Sequence, residues 1–226
     1  MKSNGSSIIA RRTFLAGTAA AGLLALPGCQ SMGGFGMVDA IRRLLGLASR
    51  NAFAKLTAPG GFWDSEVARF DLPELFTGGG AVKTLLTSGP FRTSLQKGLN
   101  TVAEKGAERA APVVYEAIRN ISVPDAIALV RGGPTAATSY LRSEMGAGLI
   151  NAMIPGLSDA LRVSSDPVLG QAIRALAGVD VGQVAQSIAI KADNSIWYQI
   201  GAEEGAIRAN PQSTNDPLLI GVFKVL

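Results

Sequence analysis

The chain has 226 residues, with 21 Lys and Arg against 17 Asp and Glu, one cysteine and no histidine. Those counts exclude imidazole-activated nucleophiles, the usual structural zinc sites, histidine-held haem and cysteine-ligated iron-sulfur clusters. Carboxylate pairs, lysine, tyrosine or an all-oxygen metal site are left as conceivable chemistry. No cofactor and no metal is expected, and a single cysteine permits no internal disulfide, so the fold must stand on packing alone.

The first element is an address rather than a structure. Residues 1–28 read as a signal peptide: Lys2, Arg11 and Arg12 form a positive flank, no acid precedes Asp39, and a diluted apolar run extends from Leu15 to Leu26. As a helix that run rises only about 18 Å, short of a hydrocarbon core about 30 Å thick, so a permanent span is not expected. Arg11, Arg12, Phe14 and Leu15 resemble the twin-arginine signal, favoured over the general secretory route and implying passage through the twin-arginine export machinery. Leu26-Pro-Gly-Cys29 is similar to a lipoprotein cleavage site, which implies that Cys29 is acylated and holds the protein to a membrane. Gln30 in the next position resembles lipoproteins sent to the outer rather than the inner membrane. The leader holds three of the 21 basic residues and none of the 17 acids, leaving 18 against 17. A nearly neutral mature chain lacks the cationic footprint a nucleic-acid partner requires.

Residues 29–36 then read as the lipidated cysteine and a flexible glycine-rich tether, and residues 37–226 as one domain. A first helix is predicted over Val38 to Lys55, with Arg42, Arg43 and Arg50 on its polar positions. Its expected role is core packing; the alternative is a helix that presses these arginines onto anionic lipid. Breakers from Ala58 to Asp64 and an extended connector near Pro73 follow, then short helical pieces from Pro73 to Thr77 and Ala81 to Thr87.

Phe91 to Asn120 carries the clearest amphipathic pattern: Phe91, Leu95, Leu99, Val102 and Gly106 share one face, with Lys97, Asn100, Glu104 and Glu108 opposite and a kink expected at Pro112. Ser122 is the expected cap of a short helix through Val130, halted by Gly132-Gly133. Further helices are predicted over Thr135 to Ser164 with a bend at Pro155-Gly156, from Asp166-Pro167, over Val181 to Ala209, and from an Asp216 cap through Phe223. The fold class is all-α, an irregular multi-helix bundle of about seven or eight helices with a kinked central helix.

Two stretches carry a wider resemblance: Gly132-Gly-Pro-Thr-Ala-Ala-Thr-Ser-Tyr-Leu-Arg142, and Ile196-Trp-Tyr-Gln-Ile-Gly-Ala-Glu-Glu-Gly-Ala-Ile-Arg208-Ala-Asn-Pro. With Ala111-Pro112, the Ile121-to-Ala126 helix start and Asp216-Pro-Leu-Leu, they make the chain similar to the bacterial family called domain of unknown function 4197, from about Val38 to Phe223. The resemblance implies a helical envelope protein, commonly with a lipoprotein-type leader, and no activity. This chain departs from the family pattern over Asp193 to Gln199, where an apolar face is more usual.

Within those stretches the helical wheel puts Glu203 on the apolar stripe of Ile196, Ile200 and Ile207, so a partner is required, with Arg142 or Arg131 the candidates. A structural ion pair is the expected role, and a catalytic acid the alternative. Glu204 and Arg208 have the spacing of a surface pair. The Gly132-to-Thr135 junction, near Thr138, Tyr140 and Arg142, reads as a helix stop and restart, with anion binding as its alternative. Of Trp197 and Tyr198 one is expected in the core and the other facing a groove or partner. The reading that follows is an envelope lipoprotein without catalytic residues, contacting another envelope component or lipid; the alternatives are a carrier of an apolar ligand and a carboxylate-dependent hydrolase of envelope polymer.

Overall fold

The computed structural model describes residues 32–224 apart from 78–79 and 177, and within them the helix signals become ten α-helices with no strand. They are α1 (Met32–Leu56), α2 (Glu74–Thr77), α3 (Gly80–Leu85), α4 (Gly89–Asn120), α5 (Ala126–Arg131), α6 (Ala136–Met145), α7 (Gly148–Val163), α8 (Pro167–Ala175), α9 (Val181–Ala209) and α10 (Pro217–Phe223), with a 3-10 turn at Pro211–Thr214. Seven of the ten are seven residues or longer, which is the expected architecture with a slightly higher count.

The all-α class holds, and several local expectations need correction. Helix α1 starts at Met32, inside the stretch expected to be a flexible tether, because extending an existing helix is far easier than nucleating one. The segment expected to bend at Pro155-Gly156 instead divides earlier: Gly146 takes a φ of 50°, ending α6, and Pro155 lies within α7. Asp125, not Ser122, caps α5 by accepting from the Ala128 amide. The caps at Asp166 and Asp216 form as read, and Asp180 adds a reciprocal capping box with Gln183 at the start of α9.

Four long helices make the frame. α1 packs on α4, α4 on α7, α7 on α9, and α9 returns to α1, while the shorter helices close the periphery. Small residues set the spacing where α4 crosses α7. A Cβ on Gly106 would stand 2.8 Å from Leu157, and one on Gly156 would stand 2.7 Å from the Arg109 side chain. Ile41, Leu44, Leu45, Leu95, Leu99, Leu149 and Leu157 lie fully buried at the centre. Among the described residues no helix is long and apolar enough to cross a membrane.

The polar face of α4 is the largest departure from the wheel. Asn100 and Glu104, expected to face solvent, are buried. The connector after α1 folds over that face, bringing backbone groups that need partners. Asn100 Oδ1 accepts from the Phe70 amide while its Nδ2 donates to the Phe70 carbonyl, and Glu104 Oε1 accepts from the Gly60 amide. Burial pushes the Glu104 carboxyl above the ordinary glutamate range, more than the Gly60 amide and Lys105 pull it back. Phe62 and Phe70 from the same connector pack edge to face, centroids 6.2 Å apart.

Candidate functional site

Most of the residues singled out in the sequence meet on α9, in three separate groups of contacts, with Arg131 and Tyr140 outside them. The first is at Glu203, which does lie near the core as its helical position requires. Its partner is neither Arg142 nor Arg131. Lys55 Nζ, at the end of α1, donates to Glu203 Oε1 at 2.5 Å, and Gln199 Nε2 donates to the same oxygen at 3.1 Å. Gln199 in turn accepts from Ser65 in the connector, so the acid ties three segments together. Arg131 is exposed and holds no ion pair among the described residues.

The second group is centred on Asp193. Arg142 Nη2 donates to Asp193 Oδ2 at 3.0 Å and the Trp197 indole donates to Oδ1 at 2.9 Å. Burial raises the Asp193 carboxyl above the ordinary aspartate range, and Arg142 and Trp197 counter this only in part. Trp197 is thus the buried member of its aromatic pair, while Tyr198 is 62% exposed. Tyr140 lies apart, donating to the Ser122 carbonyl at 2.6 Å.

The third group corrects the reading of Glu204 and Arg208 as surface support. Glu204 is fully buried and accepts from the Ala137 amide at 3.0 Å and the Thr138 amide at 2.6 Å, the first turn of α6. Arg208 Nε donates to the same carboxylate at 2.8 Å, and its Nη1 and Nη2 reach the carbonyls of Val130 and Leu129, at the end of α5. One ion pair on α9 therefore satisfies the C-terminal carbonyls of one helix and the N-terminal amides of the next. The α6 amides that follow the Gly132-to-Thr135 junction do hold an anion, and it is the protein's own Glu204. Gly201 permits this approach, since a Cβ there would meet Thr135 at 3.0 Å. Nothing in the sequence pattern between Glu204 and Arg208 distinguishes this buried tie from an exposed i,i+4 pair; only the helix junction laid across it does.

A different region is open. A groove of about 730 Å³ runs between α1, α4 and the turn leading into α10. Four arginines line it: Arg42, Arg43 and Arg50 from α1, and Arg119 from α4. Two are neutralised, Arg43 by Asp39 and Asp216, and Arg119 by Glu116. Burial pushes the Asp216 carboxyl up, but Arg43 and the Leu218 and Leu219 amides outweigh that and hold it below the ordinary range. The other two have no carboxylate partner among the described residues. Arg42 gives Nη2 to the Ile121 carbonyl at 2.9 Å, and its Nε is buried without a hydrogen-bond partner. Arg50 folds back along α1, its Nη1 3.3 Å from where a Cβ on Gly46 would be. Its charge also acts on Tyr115, whose hydroxyl is pushed up by burial and drawn partly back by Arg50.

A helical match spanning this whole frame identifies the family. The model described as protein of unknown function, DUF4197, covers residues 32–224, from the first turn of α1 to the end of α10. The chain belongs to this family. No curated protein and no solved structure matches it. The two stretches of resemblance quoted from the sequence lie at the α5–α6 junction and its α9 support. Arg11, Arg12, Phe14, Leu15 and Cys29 lie outside the described residues. The groove was only half legible: the polar positions of Arg42, Arg43 and Arg50 were visible, but not that α4 and α10 wall them in.

Proposed function

We propose that this protein is a non-catalytic binding module of the cell envelope, exported through the twin-arginine route, acylated at Cys29, and held at the periplasmic side of a membrane, the outer one by preference. The arginine groove is its contact surface. The observation that carries this reading is the contrast in how charge is used: the acids Glu203, Glu204 and Asp193 are tied into internal contacts, whereas Arg42 and Arg50 line an open groove with no carboxylate partner among the described residues. Uncompensated cations in a concavity raise the local concentration of anionic partners. The hydrolase reading gains no support from Glu203, whose near oxygen is held by Lys55 and Gln199.

Photo-crosslinking in intact cells tests the surface: a crosslinker at Leu47 should give discrete adducts, and one at Val163, 82% exposed and away from the groove, should not. Equal labelling from both positions, or none from Leu47, overturns the reading. Replacing Cys29 with Ala should release the protein from membranes, and Arg11→Lys with Arg12→Lys should stop export; unchanged fractionation in either case removes that part of the proposal.

A further inference from the structure

We propose that the groove binds an anionic phospholipid, its phosphate held between Arg42 and Arg50 and its first acyl carbons laid on Leu47, Ile118 and Leu219. This rests on reading the groove as the contact surface and adds the chemistry of what occupies it. The lining is amphipathic in the way such a ligand demands. Arg42 and Arg50 supply charge with no carboxylate partner among the described residues, while Asp216, which also lines the groove, is paired with Arg43; Ile118 and Leu219 are buried core side chains that reach the floor, and Leu47 is half-buried beside them. Tyr115 adds an aromatic wall fixed edge-on against Phe53, centroids 5.9 Å apart.

Size and position agree. The 730 Å³ volume lies within the range of about 300–1,000 Å³ typical of small-molecule sites, enough for a phosphate headgroup and several methylenes. Guanidinium is weakly hydrated and matches phosphate oxygens in a fork, which suits it to a partly apolar setting. Along α1, Arg42 stands about 15 Å and Arg50 about 27 Å from Met32 at 1.5 Å per residue, so the groove lies on the helix that directly follows the proposed anchor. An acidic peptide fits less well, because it would need backbone partners. The groove's Thr214 and Asp216 are already engaged with the backbone around them, Thr214 donating to the Pro211 carbonyl and Asp216 accepting from the Leu218 amide.

The test uses the full chain carrying Cys29→Ala, so that no acyl group contributes, titrated calorimetrically with monomeric short-chain phosphatidylglycerol. Short-chain phosphatidylcholine and inorganic phosphate are titrated alongside. Phosphatidylglycerol should bind at least tenfold more tightly than either, and Arg50→Gln should weaken it at least fivefold with an unchanged thermal midpoint. Leu47→Asn is the second variant, expected to weaken the lipid while leaving inorganic phosphate unaffected. Equal binding of phosphatidylcholine removes the charge requirement, equal binding of inorganic phosphate makes the ligand a free anion, and indifference to both variants moves the site elsewhere. Each of these overturns the lipid assignment. In-cell crosslinks from Leu47 would survive all three, which separates failure of the ligand from failure of the surface.

Discussion

The α5–α6 junction and the arginine groove both gather charge on long helices, yet they use it in opposite ways. At the junction, Glu204 and Arg208 are withdrawn from water and each is matched to backbone groups as well as to the other. In the groove, Arg42 and Arg50 line a solvent-accessible concavity with no acid paired to them among the described residues. Buried charge is tolerated only when fully satisfied, so the first arrangement is architecture. Arg50 is exposed and carries no such requirement, whereas the half-buried Arg42 gives one donor to the Ile121 carbonyl and keeps its Nε buried without a partner, so it is left incompletely satisfied. The difference teaches that the spacing of charges along a helix says little about their role until their burial and partners are known.

The comparison breaks most easily at Glu204. Glu204→Ala leaves Arg208 buried and two amides of α6 without an acceptor, and should cost about 3–5 kcal/mol in urea denaturation, the range for stripping one partner from a buried pair. A loss under about 1 kcal/mol would place the junction with ordinary surface pairs. Next is Asn100→Ala, which strands the Phe70 amide while Gln96 still donates to the Phe70 carbonyl, and should cost about 1–3 kcal/mol by the same measurement.

Glu104 sharpens the contrast through pH. Its folded carboxyl is raised by burial, so its contribution to stability is greatest below the unfolded glutamate range and declines as pH rises through the raised folded value. Glu104→Gln, which keeps an acceptor for Gly60, should therefore lose that part of the decline as pH rises above the ordinary glutamate range, read from denaturation midpoints at successive pH values. The smallest effect belongs to the groove: Arg50→Gln should move stability by no more than about 0.5 kcal/mol, as for surface substitutions without partners. A larger loss would make Arg50 part of the fold and end its candidacy as a ligand contact.

Local signals were readable wherever a single stretch carries its own start and stop. Helix α9 occupies Val181–Ala209 because Asp180 caps it and Pro211 follows it, and both are adjacent in the chain. Asp166-Pro167 and Asp216-Pro217 are legible for the same reason. Asn100 and Glu104 were not, since their wheel position is polar and only the connector folded over α4 turns that face inward. Glu203 shows the boundary within one residue: its stripe announced burial, while Lys55, 148 positions away, could not be picked out from the other cations.

By itself, then, the sequence determined the helical class, most helix ends and the absence of imidazole, because periodicity, caps and composition act within a few residues of chain. Tertiary structure alone decided which charges are buried, which carboxylate fills the α5–α6 junction, and that the α1 arginines face a walled groove. Those outcomes depend on segments distant in sequence meeting in space, and the desolvation that separates a structural charge from an available one exists only once they have met.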